Sequence, residues 1–184
     1  KLDYVAGESE PLYLHALRNR FLRTPNVTVC EFHPEDPVTY QPWTAQFDTA
    51  LCVNVLETAK DPAAVLARLG ACLTPTGTLL VLVPQGKTLY CSLDRALGHL
   101  RRFSQEDLSS ALRKAGFRIE QTYQLNKIGA VAWSVSGKLL GSKRISKLAL
   151  KLFDKTVWFW RRIDGLLPWN GLSLVVVAKR IGED

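Results

Sequence analysis

The stretch from Asp94 to Ser104 holds the side chains best suited to chemistry, with His99, Arg101 and Arg102 close together. An imidazole titrates near neutral pH and can take a proton from an oxygen or nitrogen nucleophile. A guanidinium fork can hold an anionic group through two parallel hydrogen bonds. His99 is therefore a candidate general base, and Arg101 and Arg102 are candidate acceptor-binding residues. The plainer alternative is an ordered loop, because Ser104 with Asp107 three residues later reads as a helix cap. His15 falls within a helical pattern and reads as structural. Cys30, Cys52, Cys72 and Cys91 form no CxxC pair and sit in or beside apolar segments. That spacing argues against a zinc site or a disulfide framework, names no metal ligands, and favours a reducing, cytoplasmic setting.

The elements that must position these residues are legible as an alternation. Tyr4–Ala6 belongs to a short apolar run from Leu2, and a helical pattern follows from Pro11 to Leu22. Asn26–Phe32 reads as a strand, and residues 33–46, with three prolines, as mostly loop with at most one helical turn. Phe47–Asn54 reads as a buried strand. Asp61 and Pro62 suit the cap and first position of a helix reaching about Leu73. Thr74-Pro75-Thr76-Gly77 reads as a turn and Thr78–Val83 as a wholly apolar strand. A helix opens at Ser104 and closes near Gly116; Phe117–Leu125 and Leu172–Ala178 are the last strands. Strands alternating with helices predict an α/β sheet with parallel strands, in one domain spanning residues 1–184.

The chain of 184 residues carries a net charge of +7, and the charge is localised. Lys138, Lys143, Arg144, Lys147, Lys151, Lys155, Arg161 and Arg162 are opposed only by Asp154 between residues 137 and 162, and the rest of the chain balances. Residues 142–163 read as an amphipathic helix inside a helical insertion over 137–165. Ile145, Leu148, Ala149, Leu152, Phe153, Phe159, Trp160 and Ile163 form its apolar face. Arg144, Lys147, Lys151, Lys155 and Arg162, with Trp158 among them, form the other. Such a helix can lie on an anionic membrane surface; the alternative is a lid or interface helix packed on the domain with solvated lysines. No apolar run approaches the roughly 20 residues of a membrane span. No nucleic-acid-reading motif accompanies the basic residues, which disfavours that partner.

Three segments carry a family resemblance. Phe47-Asp48-Thr49-Ala50-Leu51-Cys52-Val53-Asn54-Val55-Leu56-Glu57 is similar to the fourth strand of class I S-adenosylmethionine-dependent methyltransferases and its "VLEH" end, with Thr58 at the histidine position. Leu73 to Pro84 resembles the family's "LxPGG" turn and fifth strand, with Thr76 at the first glycine. Asp94 to Ser104 resembles the "D…GH.R.F" stretch of small-molecule members, and Ala115-Gly116-Phe117 the "AGF" that closes the following helix. The resemblance implies a Rossmann-like methyltransferase sheet with an antiparallel last strand and S-adenosyl-L-methionine as cofactor. It implies Glu8, at the end of the second family strand, as the acceptor of the ribose hydroxyls. His33 then falls at the adenine, with Glu31 as its competitor, and Asn54 near the reactive end.

Plainer readings stand beside these: Glu8 as a solvated helix-entrance acid, Asn54 as a turn former. The implied function is methyl transfer to a small-molecule, glycan or lipid-linked acceptor. Similar sequences joined to glycosyltransferase domains make such a domain or partner an expectation, and a dimer is compatible. The sequence departs from the family in having no GxGxG loop and no first strand, and Gly7 is no substitute. Three explanations arise: an incomplete chain, residues 2–6 taking the central position, or a second chain supplying the pairing. A catalytically degenerate module for protein interaction or peripheral membrane association is the competing function.

Overall fold

The structure, a computed structural model, describes residues 3–144 and 146–182, so Leu2 and Ile145 of the expectations above lie outside the described residues. Each sequence pattern becomes an element close to where it was expected. The strands are β1 Tyr4–Glu8, β2 Val27–Glu31, β3 Phe47–Val53, β4 Leu73–Pro84, β5 Phe117–Leu125 and β6 Ser173–Arg180. The helices are α1 Pro11–Phe21, α2 Pro62–Cys72, α3 Ser92–Ala96, α4 Gln105–Lys114, α5 Lys127–Trp133 and α6 Lys147–Ile163. The residues after β2 settle as a 3₁₀ helix over Pro37–Trp43. A π-helical segment over Ser134–Leu139 extends α5.

The local capping chemistry accounts for the helix starts. The Asp61 carboxylate accepts from the Ala64 N–H at 3.0 Å, with Pro62 in the first turn where a missing N–H costs nothing. Ser104 and Asp107 form the reciprocal box: the Asp107 N–H donates to Ser104 Oγ at 3.1 Å and the Ser104 N–H to Asp107 Oδ2 at 3.2 Å. One expected turn is instead carried inside a strand. β4 runs from Leu73, pairing Phe47 with Leu73 and Thr49 with Thr78, so that residues 74–77 bulge from the ladder.

Two sheets result. β3-β4-β6-β5 is mixed: β3 runs parallel to β4, while β6 is antiparallel to both β4 and β5. β1 and β2 form a separate parallel pair. The core belongs to the larger sheet and the helices on it: Leu56, Leu66, Leu79, Val81, Leu108, Leu112, Phe117 and Leu174 are fully buried. Among the described residues, β1 pairs with β2 alone and β3 with β4 alone. Residues 4–8 therefore do not take the central position; the place between β1 and β3 is left open.

Candidate functional site

That open place is a cavity of about 630 Å³. One wall is β1 and the loop after β2; the other is β3 and the chain that leaves it. Glu8, His33 and Asn54 all line it, each at or just beyond the carboxyl end of its strand, where open α/β sheets place ligands.

Glu8 ends β1. Its Oε1 accepts from the N–H groups of Ser9 at 2.8 Å and Glu10 at 2.9 Å, which fixes the carboxylate beside the start of α1. Oε2 has no partner among the described residues and is the acceptor left for a hydroxyl. Gly7, which precedes it, needs no ligand to explain it: a Cβ there would meet the Phe32 side chain at 2.7 Å. His33 lies on an exposed turn with its Nε2 at 3.0 Å from Glu31 Oε1, so the two competing residues act as a pair. The turn is held from below by Tyr40, whose hydroxyl donates to the Pro34 carbonyl at 2.7 Å and whose ring meets Phe32 edge-on at 4.8 Å. Asn54 sits at φ +53° with its N–H donating to the Leu82 carbonyl at 2.9 Å. Asparagine tolerates the left-handed region better than most residues, so the backbone alone accounts for its type, and the same turn brings it to the cavity.

The Asp94–Phe103 stretch does not line this cavity. It forms a buried charge cluster beside it. Asp94, on α3, is completely buried and accepts from Arg102 Nε at 2.8 Å, the Cys91 N–H at 2.9 Å, His99 Nδ1 at 3.1 Å and Trp133 Nε1 at 3.1 Å. Burial works to raise this carboxyl, but the His99 hydrogen bond, the Arg102 charge and the remaining donors outweigh it and hold it at about 2.

Arg102 is buried as well. Its Nη1 donates to the Gln85 carbonyl at 2.9 Å and its guanidinium lies over the Trp133 ring, 4.8 Å from the centroid. The Arg102 fork, expected to hold an acceptor, is here engaged with Asp94, the Gln85 carbonyl and the Trp133 ring inside the protein. His99 is mostly buried, with Nδ1 toward Asp94 and Nε2 3.9 Å from Glu57 Oε1. Both ring nitrogens therefore face carboxylates, not the cavity. Arg101 stays partly exposed, touching the Lys60 carbonyl at 3.4 Å.

Glu57 is the residue that the sequence pattern did not single out for a role. Its side chain is fully buried and neither carboxylate oxygen has a hydrogen-bond partner among the described residues. Burial, the largest cause, pushes its carboxyl up, only partly opposed by His99 and Arg102. Its own carbonyl accepts from the Leu100 N–H at 2.8 Å, stapling the 94–103 stretch to the loop after β3. The signal available in the sequence was the glutamate of Val55-Leu56-Glu57 followed, some forty residues later, by an Asp…His…Arg series. Cys52 offers no nucleophile: burial and the nearby Glu57 push its thiol to about 12. No cluster of metal-ligating side chains is found among the described residues.

Comparison with solved structures shows the fold. YcgJ from Bacillus subtilis superposes with a TM-score of 0.64 at 11% identity, over 99% of this chain and 83% of that one. An S-adenosylmethionine-dependent methyltransferase from Mesorhizobium loti gives 0.62 at 13% identity, over 96% and 79%. The [4+2]-cyclase SpnF gives 0.61 at 15% identity, over 99% and 67%. No curated protein sequence matches the chain. A family profile described as "Methyltransferase domain" matches residues 8–122, more than half of the chain, from the end of β1 through the charge cluster and into β5. The chain thus belongs to the methyltransferase-domain family, the class I group whose cofactor is S-adenosylmethionine.

Proposed function

We propose that this domain transfers a methyl group from S-adenosylmethionine to a small-molecule, glycan or lipid-linked acceptor. The observation that carries the reading is the convergence of Glu8, His33 and Asn54, from three different strands, on one cavity. The residues present fit the cofactor's nucleoside end. The free Glu8 oxygen would accept from the ribose hydroxyls, and the Glu31–His33 pair would supply polar atoms for the adenine edge. Asn54, at the opposite wall, would face the amino-acid end. When bound, the cofactor supplies an electrophilic methyl on a sulfonium. The protein's contribution is to hold it and to place the acceptor in line with that methyl.

In this reading His99 and Arg102 are positioning residues. With Asp94 and Glu57 they fix the acceptor-side loop against the loop that leaves β3, so that its exposed Leu97 and Leu100 and the partly exposed Arg101 keep a constant relation to Asn54. Arg101, partly exposed at that edge, is the candidate contact for an anionic group on the acceptor. Neither catalytic base chemistry at His99 nor a glycosyltransferase partner is needed for this assignment.

The gap between β1 and β3 favours a second reading, that of a methyltransferase-fold module without turnover. The [4+2]-cyclase among the structural neighbours illustrates that one fold serves unrelated functions. Titration calorimetry with S-adenosylhomocysteine separates the two. We expect weak binding by the 184-residue chain, because both strand edges bordering the cavity lack neighbours, and recovery when a parallel strand occupies the gap. Glu8→Gln should then weaken the recovered binding at least tenfold. Tight binding by the 184-residue chain, with a Kd of roughly 1 µM or below, would refute the need for a filled gap. No binding in either state would favour the module.

A further inference from the structure

The insertion before β6 is attached firmly at both ends and presents its apolar side outward between them. At one end the single Ser92 hydroxyl lies within hydrogen-bond distance of two carbonyls, Gly137 at 2.8 Å and Ser142 at 2.6 Å. Gly137 is packed so closely on Cys91 that a Cβ would collide with the sulfur. At the other end the Asp164 carboxylate accepts from the N–H groups of Asn126 at 3.0 Å and Lys127 at 2.7 Å. Trp169 Nε1 donates to the Lys127 carbonyl at 2.9 Å. Between these anchors α6 packs more closely on the 3₁₀ turn that follows it, Asp164–Leu166, than on any other element.

Helical spacing divides α6 into three lines. Phe153, Thr156, Trp160 and Ile163 are half-buried, and Trp160 Nε1 is satisfied by Thr156 Oγ1 at 2.9 Å. Leu148, Leu152 and Phe159, four and then seven residues apart, form an apolar line that is 78%, 65% and 44% exposed. Lys151, Lys155 and Arg162 repeat the same spacing immediately beside it and are all exposed. Trp158 continues the basic side, 61% exposed, under the Arg162 guanidinium at 5.5 Å. Apolar residues just outside the helix, Leu139, Leu140 and Leu166, are exposed as well.

A protein surface rarely leaves such a line of large apolar side chains in water, and a basic line parallel to it specifies what should cover it. We infer that α6 is a docking element for an anionic lipid surface, lying flat with Leu148, Leu152 and Phe159 in the acyl boundary. Lys151, Lys155 and Arg162 then meet the headgroups and Trp158 sits at the interface. A second copy of the chain is a poorer partner for this face. The net charge of +7 is carried between residues 137 and 162, and within α6 only Asp154 opposes Lys147, Lys151, Lys155, Arg161 and Arg162, so two such faces repel. No helix among the described residues is long and apolar enough to cross a membrane, so contact is by surface adsorption.

The test is sedimentation of the 184-residue chain with phosphatidylcholine vesicles and with vesicles containing phosphatidylglycerol. Binding is expected only to the anionic vesicles, weakening as salt rises. Replacing Lys151, Lys155 and Arg162 by glutamine should lower partitioning about 100-fold. Leu148→Ser with Leu152→Ser should lower it comparably in a salt-independent way. All five positions are exposed, and unchanged circular dichroism checks that the variants fold. Absence of binding to anionic vesicles at low salt overturns the inference. So does a concentration-dependent dimer in size-exclusion chromatography that the Leu148/Leu152 variant dissolves, because a second copy then covers the face.

Discussion

The two sheets of this protein are built to different standards. β3-β4-β6-β5 encloses a continuous core, with Leu79, Val81, Val83, Leu174 and Val176 completely removed from water. β1 and β2 contain no fully buried residue, and α1 against them buries only Leu14. Sheet pairing does not join the halves. The connection runs through the loop after β2: Glu35 accepts from the Lys60 N–H at 2.6 Å and its carbonyl from Arg68 Nη1 at 3.0 Å. The comparison teaches where stability and ligand chemistry reside. The larger sheet folds on its own packing, whereas a two-stranded unit is marginal by itself and depends on what it is docked against. The cavity lies on the seam, so its two walls have unequal rigidity.

Truncation tests this contrast most directly. Phe117→Ala empties a fully buried position that packs against Gly70, and should cost roughly 4 kcal/mol in a urea or thermal melt. Leu14→Ala should shift that main transition far less. An equal cost at both sites would show that the two sheets unfold as one unit. Asp94→Asn should cost roughly 3 kcal/mol, because it leaves Arg102 buried without its counter-charge.

The same carboxylate sets an acid limit. Its pKa is lowered from 3.8 to about 2, so the stability it confers is complete above 3.8 and is lost as pH falls through about 2. Integrated over that window it amounts to about 2 kcal/mol, readable as a steeper loss of stability below pH 4 in the wild type than in Asp94→Asn. Hydrogen exchange sharpens the contrast further. Amides of β1 and β2 should exchange well before those of β4 and β6, which are the last to open; uniform protection would contradict the division.

Glu57→Gln is the smallest expected effect and has the opposite sign. A carboxyl whose pKa is raised in the folded state favours folding when protonated and loses that advantage as pH rises from its unfolded value through its folded one. The glutamine variant should therefore gain stability relative to wild type at pH 8, and the gain should vanish toward pH 4. Chemical denaturation at the two pH values measures it. A loss at pH 8 would mean that the ionised Glu57 is held by His99 more strongly than its burial opposes it.

Much of the fold was legible from short-range chemistry. The Asp61-Pro62 and Ser104…Asp107 caps and the strands around them follow from residue types at fixed offsets, because local hydrogen bonds and side-chain periodicity are written into adjacent positions; the antiparallel sense of the last strand came only from the family resemblance. The positions of Glu8, His33 and Asn54 were legible for a related reason. Each lies at or just beyond the end of a strand, where the family resemblance implies cofactor contacts, and the two sheets bring those ends to one cavity. The orientation of the Asp94–Phe103 residues was not legible. The sequence shows a histidine and two arginines in a row but not that Arg102 turns inward to Asp94 and Trp133 while Arg101 stays at the surface. That choice depends on α5, thirty residues further along, and on the buried carboxylate of Glu57.

By itself, the sequence determined the six strands and the helices α1, α2, α4 and α6 in order, the family and the location of the excess charge; α3, α5 and the π-helical segment after it appeared only in the structure. The tertiary structure alone decided three things. It left the place between β1 and β3 open, since strand pairing is a contest among distant edges. It converted His99 and Arg102 into internal braces, since only packing decides which polar groups lose water and must find each other. It split the apolar face of α6 into a half-buried line and an exposed one. A helical repeat records that a face is apolar, but the surroundings determine whether protein or something outside the protein covers it.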